Sequence, residues 1–160
     1  MGRTDAGMAP SPVTAPIQEP GKGPRLEYDM TLTTTGPVKV WAYLSPRNSV
    51  LSTEGLKYAV SIDGEQPQVV NATTATGAND TTMNKQWERN TSDNVNRTVT
   101  THTITGSGTH TLKFWMVDPT VVLQKIVVDT GGLRASYLGP PESRRAGFRS
   151  TPTLQGGTKP

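Results

Sequence analysis

"VKVWAYL", residues 38–44, alternates Val38, Val40, Ala42 and Leu44 with Lys39, Trp41 and Tyr43. A period of two places one set of side chains in a core and the other outside it, which is the signature of a strand with one buried face. The same period recurs on both sides. In "LEYDMTL" (26–32) Leu26, Tyr28, Met30 and Leu32 point inward, between Glu27, Asp29 and Thr31. In "LKYAVSID" (56–63) the inward set is Leu56, Tyr58, Val60 and Ile62, and the Asp63-Gly64 step is a hairpin turn into "QPQVVN" (66–71). A Thr/Asn/Gly loop over 72–84 and a short helix around Trp87 precede "NRTVTTHTI" (96–104), which reads as an edge strand. "GSGTH" then turns the chain into "TLKFWMVD" (111–118), followed by "VVLQKIVVD" (121–129), whose two apolar faces predict a central strand. Short strands, frequent turns and no long helix imply an all-β fold: a two-sheet antiparallel β-sandwich, jelly-roll-like, with each sheet burying one face against the other.

The chain of 160 residues has room for one such core. Residues 1–24, rich in proline and glycine, and residues 144–160, with Arg144, Arg145, Arg149 and Lys159 among small polar residues, carry too little apolar surface to offset the entropy of ordering. The expected organisation is a disordered linker over 1–24, the sandwich over 25–143 and a basic flexible tail over 144–160. Of 16 basic residues, three precede Leu26 and four follow Ser143, while of 13 acidic residues only Asp5 and Glu19 lie outside the middle, so the sandwich is net negative. A nucleic-acid partner needs basic residues clustered on a folded face, and none is expected here. No stretch approaches the ~20 apolar residues of a membrane span, so no membrane partner is expected.

Cysteine is absent, which removes disulfides and thiolate metal sites from consideration. His102 and His110 lack the spacing of a zinc motif and are read as strand positions near solvent; no metal and no cofactor are expected. "GSG" at 106–108 is not a GxSxG elbow, and no glycine-rich loop ends in the Lys-Ser/Thr of a phosphate-binding loop. Asp29, Asp63, Asp118 and Asp129 fall at outward positions or strand ends, which suits surface and turn roles better than a pair of carboxylates across a cleft. No catalytic residue is assigned. Asn-X-Ser/Thr sequons begin at Asn71, Asn79, Asn90 and Asn96, and their clustering marks 71–98 as solvent-facing.

Trp41 and Tyr43 lie on the outward face of their strand, and Trp115 lies opposite Phe114 and Met116 in another. Either a loop or tail covers these rings as a second small core, or they meet a partner: a carbohydrate stacked on the rings or a neighbouring domain. "SYLGPPES" (136–143) cannot continue a sheet, because proline fixes its φ and donates no ladder hydrogen bond. It is read as a stiff latch pressing Tyr137 and Leu138 on a neighbouring surface.

"YLSP" (43–46), "LKYAVSIDGEQPQVVN" (56–71), "HTLKFWMVDPTVVLQKIVVDTGGL" (110–133) and "SYLGPPES" (136–143) together resemble the C-terminal domain of glycoside hydrolase family 115, from about Leu26 to Ser143. Those enzymes are α-glucuronidases that remove glucuronic acid or its 4-O-methyl ether from xylan. The resemblance implies an appended β-sandwich that follows the catalytic region, helps hold the subunits of a dimer together and lies near the active-site opening. The implied partners are that catalytic region or a second subunit, and the implied location is extracellular or periplasmic, through the parent enzyme. With nothing of the catalytic region before residue 26, no independent activity is expected. A second reading makes the chain a separate carbohydrate-binding module for glucuronoxylan, with Trp41, Tyr43 and Trp115 as stacking rings and Arg47, Arg89 or Arg134 pairing a glucuronate carboxylate.

Overall fold

The alternating residues 38–44 lie in β2 (Gly36–Leu44), the central strand of a three-stranded sheet, between β5 (Asn96–Ile104) and β7 (Leu123–Asp129). The structure is a computed structural model that describes residues 17–47, 55–74, 89–90, 92–134, 136 and 139–145. A four-stranded sheet packs against the first, in the order β1 (Arg25–Leu32), β6 (Gly108–Met116), β3 (Lys57–Ile62), β4 (Gln68–Asn71). All pairings are antiparallel. The chain is therefore the two-sheet antiparallel sandwich that the alternation predicts.

The core lies where the two inner faces meet. Val38, Val40, Ala42 and Leu44 from β2 face Tyr58, Val60 and Ile62 from β3 and Leu112 and Phe114 from β6. Tyr58 stacks on Phe114 with centroids 4.7 Å apart and planes 17° off parallel, an arrangement that adds about 1 kcal/mol beyond the area it buries. The Tyr58 hydroxyl meets the Thr98 hydroxyl from the opposite sheet, and burial pushes its pKa up to about 12 against the lowering effect of that hydrogen bond.

Three expectations are corrected by the pairing. β7 is an edge strand of the three-stranded sheet. On its second apolar face Val127 is covered in a cluster with Tyr43 and Val95 against which the returning chain packs Leu133, not by strands flanking it on both sides. In β1, Met30 and Leu32 pack against the core, but Leu26 and Tyr28 remain 49% and 45% exposed although they share the inner face with Phe114 and Leu112. The apolar period reported their face correctly; what opposes that face depends on the other sheet, which has one strand fewer. His102 is buried, as is Asp118, whose Oδ2 accepts the Lys57 backbone N–H at 2.6 Å. Strand position alone cannot separate a solvated polar group from one placed where another chain segment satisfies it.

The ends of the sandwich are tied down by irregular segments. Gln18 N–H donates to the Val117 carbonyl at 2.8 Å and Met116 N–H to the Pro24 carbonyl at 2.9 Å, so residues 18–24 run as a strap beside β6. This part of the segment read as linker is hydrogen-bonded onto the sandwich. On the three-stranded sheet, Lys125 Nζ donates to the Pro140 carbonyl at 3.0 Å and Gly139 lies against the Tyr43 ring. Residues 89–90 and 92–93 are helical; Trp87, around which a helix was expected, lies outside the described residues, as do Tyr137, Leu138 and the sequon at Asn79. Asn90 and Asn96 are buried, and Asn96 donates to the Ala72 carbonyl at 2.9 Å, so these two sequons do not present an asparagine to solvent.

Candidate functional site

The outward rings of β2 and β6 are the first place to look, because a flat sheet surface bearing aromatics suits both sugars and protein partners. In β2, Tyr43 is only 7% exposed. Val95, Val127 and Leu133 pack around it with Trp41, the Arg97 guanidinium stands 5.8 Å from its ring centroid, and Gly139 closes over its hydroxyl end. Trp41 is half-buried, and its indole N–H is shielded with no acceptor among the described residues. On the other sheet, Trp115 is also 7% exposed. It packs with Ala59 and Val117, Arg25 lies over it at 4.8 Å, and its indole N–H donates to the Ser61 hydroxyl at 2.9 Å. Each outer face thus carries a small second core, and neither Tyr43 nor Trp115 offers an open ring face for a sugar.

Arg47, Arg89 and Arg134 are exposed. The guanidinium groups found over the two rings belong to other residues, Arg25 and Arg97. The signal for Arg97 was the Tyr43–Arg97 register of β2 and β5, and the signal for Arg25 was the Arg25–Trp115 register of β1 and β6. Both become legible only once the strands are paired.

A polar cluster between the sheets was not anticipated. The inner face of β5 presents Asn96, Thr98, Thr100 and His102, all buried. The His102 ring meets the Glu65 carboxylate at Nδ1 and the Thr100 hydroxyl at Nε2, the latter at 2.7 Å. With the Nδ1 proton given to Glu65, Nε2 is left to accept from Thr100. Gln68 Nε2 donates to the Thr101 carbonyl at 2.7 Å, and Glu65 Oε1 also accepts the Ile62 backbone N–H at 2.7 Å. These bonds join the β3–β4 hairpin of one sheet to β5 of the other. Because each member is satisfied by another, the cluster works as a seam that fixes how the sheets sit together. The clue in the sequence was the alternation of threonines and histidine in "NRTVTTHTI", where the one valine, Val99, turns out to lie on the exposed face with Arg97, Thr101 and Thr103.

A second histidine pair sits at one end of the sandwich. His110 Nδ1 lies 2.8 Å from Asp63 Oδ2 and its Nε2 lies 2.8 Å from the Gly106 carbonyl, while Asp63 Oδ1 accepts the Thr111 backbone N–H at 2.9 Å. Two acceptors facing one ring favour the imidazolium. The hydrogen bond to Asp63, then the one to Gly106, raises the His110 pKa, and the same histidine, with Thr111, lowers that of Asp63. The pair clamps the 63–64 turn to the 105–108 turn. Among the described residues, no group of three or more His, Cys, Asp or Glu side chains could hold a metal ion.

The architecture is a two-sheet β-sandwich, with Tyr43 and Trp115 packed in minor cores and the polar cluster around His102 joining its sheets. The sequence profile of the glycosyl hydrolase family 115 C-terminal domain matches residues 1–142, and the chain belongs to that family. It is the accessory C-terminal domain of a glycoside hydrolase family, not the catalytic part. Among solved structures, it is similar to a family 115 4-O-methyl-alpha-glucuronidase with specificity for decorated arabinogalactans, at 24% identity and a TM-score of 0.58, over 69% of this chain and 14% of that one. The chain therefore spans only a small part of that enzyme's length. It is also similar to a family 35 carbohydrate binding module from Clostridium thermocellum, at 11% identity and a TM-score of 0.46, over 66% of this chain and 70% of that one. No curated protein sequence matches the chain.

Proposed function

We propose that this domain is a docking piece of an α-glucuronidase, packing on the catalytic region of its parent enzyme or on a second subunit, beside the opening through which a glucuronate-bearing polysaccharide enters. The observation that carries this reading is the strip on β1, where Leu26 and Tyr28 lie on the core-facing side of the sheet and are still about half exposed. An apolar strip at the free edge of a sheet is favourable only when something covers it. Burying the exposed half of each side chain contributes about 1 kcal/mol. A polymeric substrate places the parent enzyme outside the cytoplasm.

The test uses the full-length parent enzyme with Leu26→Ser and Tyr28→Ser together. Association of subunits, followed by sedimentation velocity, or protease resistance of the junction before β1, should weaken by about tenfold or more. Unchanged assembly together with unchanged protease resistance would remove the β1 strip as the docking surface.

A further inference from the structure

Between the strap and the β3–β4 turn, on the outer side of the four-stranded sheet, lies a groove of about 310 Å³. Ser61, Lys113 and Trp115 line it from the sheet, Pro67 from the turn and Pro20 and Lys22 from the strap. Gly21, at φ +84°, is where strap and turn meet: a Cβ there would stand 3.1 Å from Pro67 Cγ, tight contact on a backbone conformation that side chains rarely adopt. The volume is at the lower end of small-molecule sites, enough for a single ring.

The hydrogen-bonding chemistry of the groove is one-sided. Ser61 is 1% exposed, and its oxygen accepts from the Trp115 indole N–H. An indole nitrogen can only donate, so the Ser61 hydroxyl proton is left without an acceptor among the described residues. Lys113 Nζ uses one of its protons on the Asp63 carbonyl, at 3.0 Å, and Lys22 is largely exposed, with Glu19 only loosely opposite at 3.8 Å. Two carboxylates also line the groove, but both are engaged: Asp63 with His110 and the Thr111 N–H, Glu65 with His102 and the Ile62 N–H. What remains is a buried donor, two ammonium groups and the apolar surfaces of Pro20 and Pro67.

We infer that this groove binds a single carboxylate-bearing ring. The carboxylate takes the Ser61 hydroxyl and Lys113, Lys22 screens it from the rim, and the ring rests against the prolines. The site is separate from the β1 strip and does not depend on the docking role.

The test is an NMR titration of the complete 160-residue chain, following the Trp115 indole N–H, with glucuronate, cyclohexanecarboxylate, glucose and inorganic phosphate as probes. Both carboxylates should shift that signal saturably, and glucose and phosphate should not. Lys113→Met should weaken both carboxylates about tenfold while the remaining amide spectrum stays dispersed, and Ser61→Ala should weaken them in the same direction. Glucose or phosphate binding as well as glucuronate, no saturable shift with either carboxylate, or wild-type affinity in Lys113→Met would each overturn the inference.

Discussion

Thr120 adopts φ +72° in the turn between β6 and β7, and its hydroxyl is buried without a partner among the described residues. A β-branched residue is poorly suited to that backbone region, where the left-handed conformation costs about 1–2 kcal/mol for a residue with a Cβ. The shielded hydroxyl costs about 1–3 kcal/mol more. Pro119 precedes it, and proline followed by a residue with positive φ is the arrangement of a type II turn, in which the second central position favours glycine. Thr120→Gly removes both penalties. Against this stand about 0.5–1 kcal/mol for the extra freedom of glycine in the unfolded chain and about 0.8 kcal/mol for the lost methyl contact. The expected net gain is about 1–2 kcal/mol, seen as a higher urea midpoint at unchanged m-value and a melting temperature up by several degrees. Two further variants divide the effect by cause. Thr120→Val removes the hydroxyl and keeps the branched side chain, so it should recover only the hydrogen-bonding share; Thr120→Asn tolerates positive φ and should recover part of the backbone share. A Thr120→Gly protein no more stable than the parent would refute the reasoning, because neither strain nor desolvation would then be present at this turn.

The remaining predictions concern the clamp at one end of the sandwich and the junction before β3. His110 has its pKa raised from 6.5 in the folded state, so its share of stability is present below about pH 6.5 and is lost as pH rises through the folded value; Asp63 is lowered from 3.8, so its share is present above that value and is lost as pH falls through the folded one. The clamp is therefore strongest between about pH 4 and 6.5, and the stability difference between the parent and His110→Gln, measured by urea unfolding across pH 3–9, should peak in that window; a difference independent of pH would count against an ionised pair. Gly55 sits at φ +108°, and a Cβ there would overlap the Asn71 carboxamide, which accepts the Thr73 and Thr74 backbone N–H groups at 3.1 and 3.3 Å. Gly55→Ala should destabilise the domain by about 2 kcal/mol or more, read from the same urea transitions, and a neutral result would mean the two segments are not packed as described.

The family resemblance was carried by words of the sequence, "HTLKFWMVDP" and "YLGPPES" among them, and the profile match over residues 1–142 agrees with it. The site was less legible than the family. Trp41, Tyr43 and Trp115 were recognisable as outward rings, but whether an outward ring is open depends on segments distant in sequence: Leu133 and Gly139 for Tyr43, Arg25 for Trp115. Glu65 and His102, 37 residues apart, and Ser61 and Trp115, 54 apart, become neighbours only through sheet pairing and packing.

By itself the sequence determined where the strands run, which side of β1, β2 and β3 is apolar and where the chain turns, because the two-residue period and the Asp63-Gly64 step are local properties of the backbone. Tertiary structure alone decided that β7 lies at an edge, that Leu26 and Tyr28 go uncovered, and that the threonines and histidine of β5 point into the interior. Alternation assigns a side chain to a face. Whether that face meets water, an apolar layer or a polar partner is a property of what the folded chain places opposite it, and period two carries no record of that.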